Sequence, residues 1–369
     1  MYGIYIHIPF CTQKCPYCDF YSVTHLDQWK GPFLRALHHQ IASFAPVHAD
    51  TIYFGGGTPS LLSPDDIASI LEDLGHHHRL SSNCEISMEC NPASLTTSGL
   101  SRLHAAGINR LSIGCQSFQP EGLKSLGRLH TAQEAIDTVW QAYDAGFRNI
   151  SVDLMLGTPV SSVSTAIADA KEALSLPITH LSAYLLKLAP GTPFGDFPPE
   201  LPPEESQAQA YEAFCSEMAH GGFVQYEISN YAKEGYACRH NLKYWQCGQW
   251  LGLGPAAHMS TGARRYSFPS DLSRYCQLFD NGPLPDPLAP MTLEGTVDAE
   301  EELIMSLRTT AGTSRTHLKT RWDYSFTSEQ EQFLSQCRKE GFLTDDGDAF
   351  ALTSQGFLLS NSILSELIP

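Results

Sequence analysis

The sequence predicts an α/β protein, with a parallel sheet covered by helices and a smaller, mainly helical unit after it. Two observations carry the first part. A strand-like stretch is followed by a helix-spaced one six times in succession, and polar or glycine-rich segments fall at the carboxyl ends of those strands, where such sheets bind ligands. A third carries the second part: beyond the proline-dense segment 281–290 the pattern is helical apart from one short hairpin.

Taken in order, residues 2–8 alternate as a strand, and 32–45 carry helical spacing in Phe33, Leu34, Leu37, Ile41 and Phe44. Thr51-Ile52-Tyr53-Phe54 is the second strand. Its helix starts at the N-cap Ser63, with Pro64 in the first turn and Ile67, Ile70, Leu71 and Leu74 on one face. Strand 84–88 precedes a helix over 96–105, and strand 110–113 precedes helices over 119–127 and 132–145. Strand 149–154 precedes 162–175, and strand 180–184 precedes 204–220. Six such units close as a partial barrel or lie open as a doubly wound sheet, and periodicity does not choose between them.

Beyond about 225 aromatic- and Gly-rich loops are expected. Three parts follow: a core over 1–224, an extension over 225–290 and a C-terminal domain over 291–369. The last has helices over 298–308, 313–320, 328–339 and 353–366, and a hairpin turning at Asp345-Asp346-Gly347 like a small wing.

At 369 residues with 42% hydrophobic side chains, the chain can bury a barrel-sized core and a smaller one. A formal net charge of −17 argues against nucleic acid as a main partner, because that contact needs a basic surface. The N-terminus lacks a basic leader and runs straight into a cysteine loop, and no apolar run approaches the ~18 residues of a membrane span. A cytoplasmic protein with no transmembrane segment is expected.

Cys11, Cys15 and Cys18 directly follow the first strand. Three thiolates are one short of a closed zinc site or an ordinary four-cysteine iron–sulfur cluster. Spacing alone leaves open half a zinc knuckle completed by His7 or His25, buried small residues, or a cluster with a vacant position. Disulfides are disfavoured in a reducing compartment.

With a strand before its first cysteine and Tyr17 just before its last, this C-x3-C-x2-C loop resembles the cluster loop of the radical S-adenosylmethionine (radical SAM) superfamily. The resemblance implies a partial TIM-type (βα)6 barrel. It also implies that Cys11, Cys15 and Cys18 hold a [4Fe-4S] cluster whose fourth iron is chelated by S-adenosylmethionine. One electron from the cluster then cleaves that cofactor to a 5′-deoxyadenosyl radical.

Other strand ends carry polar groups. Gly55-Gly56-Gly57-Thr58-Pro59 either offers bare backbone to a ligand or simply turns the chain. Glu89, Gln116, Arg128 and Asp153 are singly ordinary, but convergence from several strand ends makes a cofactor pocket. Tyr5-Ile6-His7-Ile8-Pro9-Phe10-Cys11, the triple-glycine segment, Ser112–Phe118, Leu126–His130 and Asp153–Pro159 together resemble the HemN/HemW family. That family comprises oxygen-independent coproporphyrinogen III oxidase and a haem-chaperone paralogue, and the resemblance spans almost the whole chain, C-terminal domain included. It implies that Tyr5, Gly56, Gly57, Thr58, Glu89, Gln116, Arg128 and Asp153 contact one or other of two S-adenosylmethionine molecules. Tyr17, beside the cluster ligands, is counted with these cofactor-binding residues.

Two features favour the haem-chaperone branch. Phe20 stands where the oxidase keeps a further cysteine, and His240-Asn241-Leu242-Lys243-Tyr244-Trp245 matches the branch's H-N-x-x-Y-W motif. Histidine ligates haem iron and Tyr or Trp packs a flat macrocycle, so His240 and His258 are haem candidates. The other reading is an aromatic segment closing the barrel floor, with His240 hydrogen-bonded inside. In the family's G-x-G-x-G-A-H-S segment this chain has Ala256 and Met259 for the third glycine and the serine, which constrains the loop. His76-His77-His78 reads as a solvated loop.

The expected function is haem binding and transfer to apo-haemoproteins, with an electron donor serving the cluster. The alternatives are decarboxylation of coproporphyrinogen III, a porphyrinogen substrate, and a structural zinc protein on an α/β scaffold.

Overall fold

A computed structural model describes residues 1–368. All six expected units are present. Strands β1 (Tyr2–Ile8), β2 (His48–Gly56), β3 (Arg79–Cys90), β4 (Arg110–Gln116), β5 (Asn149–Leu156) and β6 (His180–Leu185) lie side by side in that order, each parallel to the next. The intervening helices are α1 (Leu26–Ser43), α2 (Pro64–His77), α3 (Thr97–Ala106), α4 (Pro120–Ser125), α5 (Ala132–Asp144) and α6 (Val163–Ser175). The short α7 (Pro193–Asp196) and the long α8 (Glu204–His220) follow β6. Ser63 with Asp66 and Thr131 with Glu134 form capping boxes that start α2 and α5, each cap worth about 1 kcal/mol.

Strand alternation divides the sheet's two faces. Ile4, Ile6, Ile52, Phe54, Leu111 and Ile113 are fully buried on the face covered by helices. The opposite, inward face is polar, with Tyr5, His7, Tyr53, Ser87, Glu89, Ser112 and Asp153 at successive register positions. Barrels of this type usually fill that space with branched aliphatic side chains. A polar interior prepares a site rather than a core.

The barrel does not close. Antiparallel β7 (Val224–Gln225) and β8 (Asn230–Ala232) cover the β6 edge. At the other edge β9 (Trp250–Leu253) runs parallel to β1, and β10 (His258–Thr261), β11 (Arg264–Ser267) and β12 (Thr292–Thr296) continue the sheet antiparallel. Edge strands covered this way present no free ladder. The stretch expected to be loops over 225–290 is thus strand on both flanks of the barrel, with α9 (Arg239–Trp245) and α10 (Leu272–Leu278) between. Strands of two to four residues show too few alternations to be read from sequence. β12 also carries the main sheet past 290.

The second core comprises α11 (Ala299–Ser306), α12 (Arg315–Trp322), α13 (Ser328–Lys339), α14 (Ser354–Leu358) and α15 (Ser360–Leu367) around Leu303, Leu318, Leu334, Phe350 and Leu364. Its wing is β13 (Thr313–Ser314), β14 (Leu343–Asp345) and β15 (Ala349–Leu352). The single terminal helix expected over 353–366 breaks at Leu359, whose ψ of 9° is not helical. Backbone bonds Ile228 N–H to Arg308 O (2.9 Å) and Thr310 N–H to Tyr226 O (3.1 Å) clasp this core to the barrel. Among the described residues no helix is long and apolar enough to cross a membrane.

Candidate cluster and cofactor site

The cysteine loop leaves β1 and is closed at its base. Cys11 N–H donates to Val23 O (3.0 Å) and Val23 N–H to Pro9 O (2.7 Å). The end of β2 supports the loop from beneath, with Gly57 N–H on Ile8 O (2.8 Å) and Thr58 N–H on Phe10 O (2.6 Å). These bonds require bare glycines. A Cβ on Gly57 would lie 2.5 Å from Phe10 O, and one on Gly56, whose φ is +106°, would lie 2.7 Å from the His7 ring. The triple glycine therefore first serves close packing of the cysteine loop.

Two of the three sulfurs receive hydrogen bonds. Thr58 Oγ1 donates to Cys11 Sγ (3.6 Å), and Arg128 Nη1 donates to Cys15 Sγ (3.4 Å). Arg128 Nη2 also donates to Asn91 Oδ1 (2.9 Å) and Gly114 O (2.9 Å), while Asn91 Nδ2 reaches Thr58 Oγ1 (3.1 Å). Such bonds to sulfur tune the potential of an iron–sulfur cluster. Tyr17 faces Phe194 at 6.5 Å, and Phe194 N–H on Pro16 O (2.9 Å) ties α7 to the loop.

Among the described residues no three His, Cys, Asp or Glu side chains gather as ligands of a single ion. Thiolates that each bond a different iron of a cluster stand farther apart than ligands sharing one zinc. The donor set, three soft thiolates flanked by hydrogen-bond donors, fits an iron–sulfur cluster better than a zinc site.

Beside the loop, the expected polar residues converge. Tyr53 Oη donates to Glu89 Oε1 (3.0 Å), and burial, then the Asp153 charge, pushes the Glu89 carboxyl up to about 8. Asp153 accepts from Ser112 Oγ (2.9 Å), and burial raises it too. Tyr5 stacks on Tyr53 at 6.3 Å, with its Oη 3.2 Å from His7 Nδ1. Gln116 ends β4 at φ +68°, a left-handed backbone that costs a non-glycine residue about 1–3 kcal/mol and collects at functional sites. Tyr5, Tyr17, Gly56, Gly57, Thr58, Glu89, Gln116, Arg128 and Asp153 all lie on the inner face or at the mouth of the barrel.

Three residues escaped the sequence reading. Asn91 links Thr58 to Arg128, as above. Asp169 on α6 accepts from Ser117 Oγ (2.8 Å), Phe118 N–H (2.9 Å) and Gln119 Nε2 (3.1 Å), fixing the turn after Gln116. Its signal was an acid on the alanine stripe of α6, where Ala166, Ala170 and Ala173 are buried. Arg110, buried at the start of β4, is the third.

The two haem candidates part company. His240 is fully buried at the barrel floor, with Nδ1 2.8 Å from Thr51 Oγ1 and Nε2 2.8 Å from Tyr244 Oη, and burial drives its pKa down to about 3. Both ring nitrogens are engaged, so no lone pair is free for iron. His240 is thus enclosed in this structure, and its segment lies at the floor. His258 opens β10 with an exposed side chain near His7. His77, of the triple histidine, ends α2, and His78 is buried rather than solvated because its backbone leads into β3.

A three-cysteine loop over an open βα barrel with a polar lumen defines a radical SAM protein. Residues 5–172 match the model of the Radical SAM superfamily, and residues 293–359 match that of the HemN C-terminal domain. The chain is 35% identical to "Heme chaperone HemW" of Escherichia coli (strain K12), over 98% of this chain and 97% of that one. It is 34% identical to "Heme chaperone HemW" of Bacillus subtilis (strain 168), over 100% and 99%. It is 32% identical to "Radical S-adenosyl methionine domain-containing protein 1, mitochondrial" of Bos taurus, over 99% and 87%. The solved structure of coproporphyrinogen III oxidase (HemN) from Escherichia coli shares the fold, with a TM-score of 0.83 at 21% identity over 99% of this chain and 89% of that one. The chain belongs to the HemW family. Membership of the radical SAM superfamily implies a [4Fe-4S] cluster and S-adenosylmethionine as its cofactors.

Proposed function

We propose that the protein binds haem and passes it to apo-haemoproteins of the cytoplasm. The observation that carries this reading is full-length identity of about one third to proteins named heme chaperone HemW. Phe20 supports it, since it removes a cysteine that the oxidase branch keeps next to the cluster ligands.

In this reading Cys11, Cys15 and Cys18 hold the cluster, with Thr58 and Arg128 donating to two of the sulfurs. When bound, the cluster supplies one electron to S-adenosylmethionine, and an external donor replaces it. The chain's own residues receive that cofactor. Gly56, Gly57 and Thr58 offer backbone carbonyl oxygens, since the Gly57 and Thr58 N–H groups are spent on the cysteine loop, Glu89 and Asp153 offer carboxyl groups, and Gln116, Arg128, Tyr5 and Tyr17 line the remaining walls. His258 is the haem ligand, because its imidazole is exposed whereas that of His240 is spent inside.

The test is metal analysis, haem titration and a coproporphyrinogen III assay on anaerobically reconstituted protein. Iron with sulfide, stable haem binding and no turnover are expected. Turnover without stable haem binding would assign the chain to the oxidase chemistry instead, and zinc without iron would remove both readings.

A further inference from the structure

Arg110 has no place in the contacts above. It is 1% exposed, and its Nε and Nη1 find no hydrogen-bond partner among the described residues. It also enters none of the ion pairs among those residues. A buried, unpaired guanidinium is costly to the fold. Its position suggests what offsets that cost.

Arg110 pairs in register with Ser87, and Ser112, the next inward residue of β4, pairs with Glu89. At about 3.3 Å per residue, Arg110 stands one inward step, about 7 Å, below Glu89. Ser112 Oγ in turn holds both oxygens of Asp153, at 2.9 and 3.2 Å. Two carboxylates at the cofactor end thus sit one layer above a buried cation that makes no direct ion pair, with the Glu85 carboxylate one inward step below it on β3.

We propose that Arg110 is a positioning residue for the S-adenosylmethionine site, whose buried charge one layer below favours the anionic forms of Glu89 and Asp153 that face the permanently charged sulfonium. This rests on the cofactor reading above. Burial raises both acids, and Arg110 opposes the rise in both. The other groups around them do not compete. Tyr5 and Tyr53 beside Glu89 are pushed up by burial and stay neutral, and Tyr184, 42% exposed at the end of β6, is raised as well. Beside Arg110, burial lowers His180 and His240 and raises Tyr226 and Cys238, the last to about 12. The remaining charged groups are Arg128, near Asp153, and Glu85, tied to the backbone N–H groups of Arg239 (3.1 Å) and His240 (3.0 Å).

A unit charge about 7 Å away at an effective dielectric of about 20 moves an acid's midpoint by about one to two pH units. The experiment measures S-adenosylmethionine affinity of the anaerobically reconstituted protein against pH, for wild type, Arg110→Met and Arg110→Lys. Arg110 also repels the sulfonium directly at every pH, so the midpoint is the readout and not the plateau affinity. The ligand's own titration is common to all three and cancels in the comparison. Arg110→Met is expected to raise the midpoint by about one to two pH units in a protein that still folds. Arg110→Lys is expected to keep the wild-type midpoint. An Arg110→Met protein with an unchanged midpoint would overturn the proposal, and so would one that fails to fold, because Arg110 would then be a structural residue. Failure of the wild type to bind S-adenosylmethionine would instead sink the cofactor reading itself.

Discussion

Gly57→Ala should uncouple the cysteine loop from the barrel. The added Cβ would lie 2.5 Å from Phe10 O and 2.9 Å from Ile8 O, both backbone atoms that cannot swing aside. Ordinary contact needs close to an ångström more, so β2 and the loop must separate. That movement breaks the bonds Gly57 N–H to Ile8 O and Thr58 N–H to Phe10 O. Overpacking costs about 1–3 kcal/mol and each lost buried bond about 1 kcal/mol, so roughly 3–5 kcal/mol is expected. Thr58 moves with the loop and its bond to Cys11 Sγ goes too. The assay is iron and sulfide content per chain after anaerobic reconstitution, with thermal melting alongside. Gly75→Ala is the control: nothing lies within 4 Å of its Cβ in α2, and it should stabilise by about 0.5–1 kcal/mol. A Gly57→Ala protein that loads full iron and melts like wild type would refute the reasoning.

Ala256 holds φ +59° where the family pattern carries glycine, so Ala256→Gly should raise stability by about 1 kcal/mol, read as a higher denaturation midpoint. Glu227 is fully buried and burial pushes it up to about 7 from an ordinary 4.5. An acid raised in the folded state stabilises the fold below its unfolded pKa and loses that contribution as pH climbs through the folded one. This one group should therefore remove about 3 kcal/mol between about pH 4.5 and about pH 7, and Glu227→Gln should change the wild-type slope by that amount in pH-dependent denaturation. His240→Ala should cost about 2–4 kcal/mol by leaving Thr51 and Tyr244 without partners around a cavity. His258→Ala should leave melting unchanged and weaken haem binding; the reverse pattern in haem titrations would restore His240 as ligand.

The barrel was legible because its units are long and repeat: α2 runs from the N-cap Ser63 as the sequence predicts, and α8 occupies 204–220 as expected. α1 starts at Leu26 rather than 32, with Gly31 and Pro32, residue types that disfavour a helix interior, lying inside it. The flanking strands β7 to β11 were not legible. They hold two to four residues each and owe their conformation to the barrel edges they cover. Site residues at strand ends could be picked out, because glycines and lone polar groups there break an apolar pattern. Residues that act through others, such as Asn91 and Asp169, were hidden: what marks them is a partner 33 to 52 positions away in the chain. The burial of His240 was likewise invisible, since a histidine beside Tyr and Trp reads the same whether it faces a macrocycle or the floor of a barrel.

The central claim, haem handling, is tested most directly by loading the anaerobically reconstituted protein with haem, mixing it with an apo-haemoprotein and following the acceptor's absorption. Haem appearing in the acceptor, with coproporphyrinogen III left unchanged by the same preparation, is the predicted result. Haem that never leaves the protein, or a porphyrinogen that is decarboxylated while haem fails to bind, would contradict it.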